Sequence, residues 1–286
     1  MQKAIQIPYL DHASFATECS LAAQAGFRHL SVSYADLPLG KTQEEWQAIT
    51  ADIQGILDQN GLTCVQSHLP YYFPFGSSNE YYDDMEFALR QSIISSGQVG
   101  AQYCVIHPRT AVYAGYSMAQ SFEDNKRWIT PLLACAIQHN TGIAVENLPI
   151  FPQVAFVRPL YSYNPDHLIE LVDYFADPHM GACWDFGHAH LTEGSQAPRL
   201  ELLGKRIVCT HIHNNWGLHD DHAPPLYGDI DWQEAMEGMA KIGYQGPLTL
   251  ETHCWYKNAN LSRSFYQHNY DSILYLESLM LPKEET

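Results

Sequence analysis

The chain has 286 residues, with 15 Lys and Arg against 32 Asp and Glu for a formal net charge of −17, and it carries 15 histidines. At 46% hydrophobic and 12% aromatic it can bury a sizeable core, which excludes a disordered or fibrous protein. The acidic excess argues against nucleic acid as a partner, because sequence-independent binding needs Lys and Arg to displace counterions from phosphates.

No apolar run approaches the roughly 18 residues that span a bilayer, and the opening MQKAIQIPYL lacks a long apolar segment, so no membrane partner and a cytoplasmic location are expected. The seven cysteines form no CxxC pair and several sit in apolar runs such as YCVIH and IVCTHIH. Buried free thiols in a reducing compartment are the expectation.

In chain order, short β-branched or apolar runs alternate with longer amphipathic stretches. The spacing predicts strands at Ala4–Pro8, His29–Ser33, Thr63–His68, Tyr103–His107, Ile143–Glu146, Gly181–Asp185, Ile207–His213 and Leu248–Glu251. Among the intervening helices are Gln43–Gln59, Glu80–Ser96, Ala119–Gln138, Pro165–Phe175, Trp232–Ile242 and Tyr266–Leu279, several ending at a glycine such as Gly61, Gly142 or Gly243. Eight βα units predict a single (β/α)₈ TIM barrel over residues 1–286, a fold that typically takes about 250 residues. No linker or low-complexity segment divides the chain. A doubly wound open sheet would normally begin with a glycine-rich phosphate turn, and YLDHASF offers none. The long connections, Leu69–Ser78, Pro108–Ser117, Leu148–Asn164 and Asn214–Asp229, all follow strands and so gather at the C-terminal face, where barrels build active sites.

Six consecutive strands end on a chemically active side chain: His68, His107, Glu146, Asp185, His213 and Glu251. The intervals are 39, 39, 39, 28 and 38 residues, about one βα unit each. Such residues would converge near the barrel axis, where an acid is costly to bury alone and a divalent metal would offset its charge. His188 lies three residues after Asp185, and Asp220 and His222 alternate in HDDH, which would put both on one face of an extended stretch. Mixed His and carboxylate ligands favour ions such as Zn²⁺ or Mn²⁺ over Ca²⁺.

The pattern HLPY, HPRT, EN, DFGH, HIHNN, DDH and LTLE resembles the xylose isomerase-like TIM barrel superfamily. That group holds sugar and sugar-phosphate isomerases and epimerases, inosose dehydratase-like enzymes and endonuclease IV-type abasic-site nucleases. The resemblance to the isomerases implies one metal, Mn²⁺, Zn²⁺, Co²⁺ or Mg²⁺, on Glu146, Asp185, His213 and Glu251. It also implies a sugar or sugar phosphate as substrate and proton transfer through a metal-stabilised enediolate between Glu146 and Glu251, with His188 on a substrate oxygen. A homo-oligomer is compatible with it.

The resemblance to the nucleases implies a different use of His68, His107, Glu146, Asp185, His188, His213, Asp220, His222 and Glu251: up to three zinc ions and phosphodiester cleavage in abasic DNA. The rim loops carry few basic residues for a phosphate backbone, chiefly Arg109, Arg158, Lys257 and Arg263. A dehydratase-like lyase is the nearer alternative, and a barrel that has lost activity and serves as a binding subunit is a third class.

Other assignments stay open between function and structure. His68, His107 and His222 fit metal ligation, substrate hydrogen bonding or support of the ligands. Arg109 could clamp a substrate anion or pair with a nearby acid. Tyr71, Tyr72, Phe73, Trp184 and Trp216 could wall a sugar pocket or pack beneath loops. His190, His211, His219 and His253 are expected to be structural, with His211 turned away from the side that His213 faces. Two departures sit beside the pocket: LYGDIDW has Tyr227 before Gly228, and HNN stands where relatives often carry an acid.

Overall fold

Alternate burial along the strands decides what the sheet presents to each side. On β1 (Lys3–Pro8) Ile5 and Ile7 join the main apolar core, while Ala4 and Gln6 face the other way. The same period of two runs through β5 (Gly142–Glu146), where Ile143 and Val145 join that core and Ala144 faces the interior two residues before Glu146. The computed structural model describes residues 1–71, 79–111, 117–150, 159–192, 194–254, 256 and 258–281.

Its remaining strands are β2 (His29–Ser33), β3 (Thr63–His68), β4 (Tyr103–Ile106), β6 (Met180–Asp185), β7 (Ile207–His211) and β8 (Leu248–Leu250). All pair in parallel, in the order β7-β6-β5-β4-β3-β2-β1-β8. A parallel bridge between Ile212 and Leu250 brings the last edge back to the first, so the sheet is a nearly closed TIM barrel, as expected.

The helices form around it where local chemistry allows a start. α1 (His12–Ala25) is capped by Asp11, whose side chain accepts from Ser14 N–H. α2 (Gln43–Asn60) opens with a reciprocal cap between Thr42 and Glu45 and stops at Gly61 in the left-handed region. α3 (Asn79–Val99) and α4 (Met118–Gln138) follow, and α5 (Pro165–Phe175) starts with Asn164 as cap and proline in its first turn. Then come the single turn α6 (Phe186–His190), α7 (Ala197–Leu203), α8 (Trp232–Lys241) and α9 (Ala259–Leu279). Their apolar faces bury Phe15, Trp46, Ile53, Leu132 and Leu168 against the outer side of the sheet. Inside, Val105, Ala144, Cys183 and Cys209 form a second, small apolar cluster beneath the mouth.

Three strands end earlier than the sequence predicts, at Ile106, His211 and Leu250. His107, His213 and Glu251 therefore stand just past the ladder, where the chain begins to turn. The described cysteines are free, six of them buried. Among the described residues no helix is long and apolar enough to cross a membrane.

Candidate metal centre

Period-two alternation carries the interior row up to the mouth. Ala144 is followed two residues on by Glu146, Cys183 by Asp185, Cys209 by His211, and Thr249 by Glu251. These four mouth residues lie close together: one ligand atom from each of Glu146, Asp185, His211 and Glu251 falls within 4.8 Å of the others, and all four are buried. His211 Nδ1 is 3.0 Å from Glu146 Oε1, 3.2 Å from Glu251 Oε2 and 3.8 Å from Asp185 Oδ2.

The expected quartet had His213 where this grouping has His211, and His213 stands in a neighbouring group with the same Asp185. His211 does not turn away from the mouth: it meets Glu146 and Glu251 while His213 meets Asp185. His213, one step beyond the ladder, sits beside Asp185 with Nε2 3.1 Å from its carboxylate and 3.6 Å from Asp220. It forms neighbouring groups with Asp185 and His188 and with Asp220 and His222. Its ring lies over Gly187, where a Cβ would stand 1.9 Å from His213 Cε1. The glycine of DFGH makes room for that imidazole.

The further candidates extend the cluster on both sides. His107 Nε2 and His68 Nε2 approach Glu146 Oε2 at 3.1 and 3.4 Å. His188 reaches Asp220 Oδ2 at 3.1 Å and Glu146 Oε1 at 3.3 Å, and His222 lies 3.2 Å from the same Asp220 oxygen. Asp220 and His222 converge, but not along an extended stretch: His222 has a positive φ of 46°. The HNN segment sets this up. Asn214 pairs with Ala223 through two backbone hydrogen bonds, and Asn215 donates to the Gly187 carbonyl, folding the connection back over the mouth. Gly228 permits it, since a Cβ there would collide with Asn214.

Sequence reasoning passed over several supporting polar residues. Asn147 donates to the Asp185 carbonyl at 2.9 Å and accepts from Asp185 N–H at 2.7 Å, locking the ends of β5 and β6 together. Its own carbonyl lies 2.9 Å from His188 Nδ1, which fixes that ring. The position after a strand-end acid was the available signal. Of the residues expected to be structural, His253 also lines the cavity and stacks on His222 at 4.5 Å.

Two expected substrate contacts change character. Trp216 is 49% exposed, packs edge-to-face on Tyr227 and does not line the cavity. It lies on the outside of the folded-back connection. Arg109 does line the cavity, yet its guanidinium is 2.6 Å from Glu86 and stacks over Trp128 at 4.1 Å, the acid-paired alternative. Trp184 points away from the mouth into the core and donates to Gln196. Tyr72, Phe73, Arg158 and Lys257 lie outside the described residues. The cavity itself has a volume of about 960 Å³, with His68, His107, Glu146, His188 and Glu251 in its floor and Tyr71, Tyr82, Trp128 and Leu160 in its walls.

Electrostatics decide what the floor can hold. Burial pushes the Glu146 carboxyl up, but the His211 and His107 imidazoles hold it well below the usual carboxylate range. Burial likewise opposes ionisation of Glu251, and His211 and His222 bring it down to about 2. Burial disfavours charge on His211, yet Glu251 and Glu146 raise it to about 9; Asp220 and Glu251 take His222 to about 10. The imidazoles thus carry the positive charge that the acids demand, a role a divalent cation could take while releasing their protons.

The residues present fit such an ion. Glu146 Oε2, Glu251 Oε2 and Asp220 Oδ1 are buried and accept no hydrogen bond, although imidazole nitrogens stand at ion-pair distance. Buried carboxylate oxygens without donors are costly unless a cation satisfies them. One imidazole and three carboxylates suit Zn²⁺, Mn²⁺, Co²⁺ or Mg²⁺ better than an all-oxygen Ca²⁺ cage.

Comparison with known proteins agrees with the barrel. Residues 19–265 match the xylose isomerase-like TIM barrel family. The chain belongs to this family. Among its curated relatives, the uncharacterised protein y4fM of Sinorhizobium fredii is 31% identical over 159 residues, 56% of this chain and 48% of that protein. The uncharacterised protein MJ1311 of Methanocaldococcus jannaschii is 26% identical over 168 residues, 57% and 55% of the two chains. The match thus spans about half the length of these relatives. Solved structures with the family's fold include a D-tagatose 3-epimerase-like protein (TM-score 0.72, 19% identity, 97% of this chain and 99% of that one). IolI with a bound zinc atom superposes with a TM-score of 0.74 at 15% identity, covering 98% and 99%. At these identities the likeness establishes the fold of the family.

Proposed function

We propose that the chain is a divalent-metal-dependent sugar isomerase or epimerase in which Glu146 and Glu251 move a proton at a carbon next to a carbonyl. The observation that carries this reading is the quartet: two glutamates, held by one imidazole between them, share the floor of a single cavity. Family membership supports it, as do fold neighbours described as D-tagatose 3-epimerase-like and as D-psicose 3-epimerase with D-fructose.

Glu146, Asp185, His211 and Glu251 would hold the ion. When bound, it would supply Lewis-acid stabilisation of the negative charge that develops on the sugar oxygens. The chain's own groups account for the rest. Glu146, ionised, takes the proton from carbon while the C–H electrons move toward the carbonyl. Glu251 returns a proton from its own side of the sugar. Glu251 takes the proton that it returns from solvent, and Glu146 gives its own proton back to solvent, which resets the pair. His188 has Nδ1 on the Asn147 carbonyl and Nε2 on Asp220, so it would hold a substrate hydroxyl through Nε2 by exchanging the Asp220 contact. Asn147 and Ser162, which donates to the Glu146 carbonyl, keep the base from drifting.

A second reading rests on the extent of the network. His68 and His107 beside Glu146, and His188 and His222 beside Asp220, could hold further ions, as a three-zinc phosphodiesterase would need. The charge of −17 and the pairing of Arg109 and Arg127 with Glu86 and Asp124 favour the sugar reading. Metal content per chain and solvent deuterium uptake into ketoses test the two together. One ion with deuterium at the exchanging carbon is expected, and loss of a hydroxyl from the product would mark the dehydratase variant. Three zinc ions with cleavage of an abasic-site duplex would overturn it.

A further inference from the structure

The β1–β2 side of the barrel brings no histidine or acid to the cluster, yet one of its residues touches it. Gln6 on β1 donates from Nε2 to Glu251 Oε1 at 2.7 Å and accepts at Oε1 from Ser31 Oγ at 3.3 Å. Sheet register makes this row unavoidable. Gln6 stands directly opposite Ser31 on β2, and Ile5 opposite Leu250 on β8 puts Glu251 next to Gln6 on the other flank. All three project into the interior at one level, with Ser31 fully buried and Glu251 nearly so.

The direction of donation matters. With its carbonyl engaged by Ser31, the Gln6 amide can offer Glu251 only N–H, so it binds the carboxylate through Oε1 and leaves Oε2 uncommitted. That second oxygen is the one buried without a hydrogen bond, 3.2 Å from His211 Nδ1 within the quartet. We infer that Gln6, oriented by Ser31, is the positioning residue that fixes the Glu251 rotamer and aims Oε2 at the metal. This rests on the metal-dependent reading above. Gln66 is the internal contrast: it lies next to Ser31 in register and is fully buried, but its amide bonds Thr249 and the Thr210 carbonyl and no acid.

The test uses the full chain stripped of metal and titrated calorimetrically with Mn²⁺. Gln6→Met keeps the shape and removes the donor, and should weaken Mn²⁺ binding by roughly 10–100-fold, as loss of an outer partner of a ligand typically does. Ser31→Ala should cost less, since it only frees the amide to turn. Gln66→Met should lower the melting temperature while leaving Mn²⁺ affinity within about twofold of the parent, separating a positioning role from general packing. In a Glu251→Gln background, Gln6→Met should add nothing, because its effect passes through that carboxylate. Equal Mn²⁺ affinity for Gln6→Met and the parent, or equal losses for Gln6→Met and Gln66→Met, overturns the inference while leaving the metal reading intact. A parent chain that binds no divalent ion overturns the metal reading itself.

Discussion

The two sides of the barrel interior treat buried polarity in opposite ways. Along β1, β2 and β3, Gln6, Ser31 and Gln66 are neutral and hydrogen-bonded to one another's neighbours across the barrel. Along β5 to β8, Glu146, Asp185 and Glu251 are charged, crowded by imidazoles, and Glu146 and Glu251 each keep one buried oxygen without a donor. A satisfied amide row is a support; an unsatisfied acid cluster is a site that needs a ligand. The difference shows where the fold spends stability on function and where it holds that function in place.

The largest break in this comparison would come from removing charge on the acid side. Glu146→Gln and Glu251→Gln should each lower solvent deuterium exchange into the sugar by about 10²–10⁴-fold, the range for loss of a positioned acid or base. Full exchange in either variant would show that the two sides differ in charge without differing in chemistry. Next in size is the metal. His211→Ala should weaken Mn²⁺ binding by more than the roughly 10–100-fold that a supporting residue costs, whereas His213→Ala should stay within that range. The reverse order would make His213 the ligand in the quartet. Chelation should also lower the melting temperature, since an ion at 100 times its Kd stabilises the fold by about 2.7 kcal/mol; an unchanged transition would mean the acids are satisfied without it.

How much of this was legible in the sequence depended on period. The eight βα units, the barrel and the rim acids Glu146, Asp185 and Glu251 follow from apolar runs of regular spacing, and the strands fall close to their expected limits. His211 was legible too, because it follows Cys209 by two residues on β7 and so shares that residue's inward face. What could not be read was set by the turns. The mutual approach of Asp220 and His222 depends on Asn214 and Asn215 folding a long connection back, and Trp216 is carried outward by that same fold. Gln6 was invisible for another reason: its partners come from β2 and β8, at opposite ends of the chain.

A substitution at Gly187 sharpens the comparison at lower energy. The single-turn α6 brings backbone against the His213 ring, and a methyl placed there would overlap it. Gly187→Ala should therefore destabilise by about 1–3 kcal/mol, the range for overpacking a tight contact. Combining it with His213→Ala should recover most of the loss, because the colliding ring is gone. Chemical denaturation of the two single variants and the double variant checks this. Additive losses would place the cost in the α6 backbone and leave the packing of the acid side against its loops unexplained.

The smallest effect belongs to an acid outside the mouth, and it tests whether the acid side is special. Glu277 on α9 accepts from Lys3 Nζ on β1 at 2.9 and 2.8 Å, tying the last helix to the first strand. Partial burial raises this carboxyl, but hydrogen bonds from Lys3 and from the Met1 amino group together more than offset that and hold it below its ordinary value of 4.5. A carboxyl whose pKa is lower in the folded state adds stability that is present above the unfolded value and fades as pH falls through the folded one. Glu277→Gln should therefore cost about 0–1 kcal/mol near neutrality, as partly exposed ion pairs do, and the gap from the parent should narrow as pH falls below 4.5. The contrast with Glu251 is one of consequence. Glu277 has its donor and water nearby, so neutralising it loosens one tie, whereas Glu251 is held ionised inside the barrel for a partner outside the chain. Denaturant titrations at pH 7 and at steps below pH 4.5 would show it: a Glu277→Gln penalty that does not narrow at all as pH falls would mean that the side chain acts by packing, and that ordinary surface acids in this chain are no guide to the buried ones.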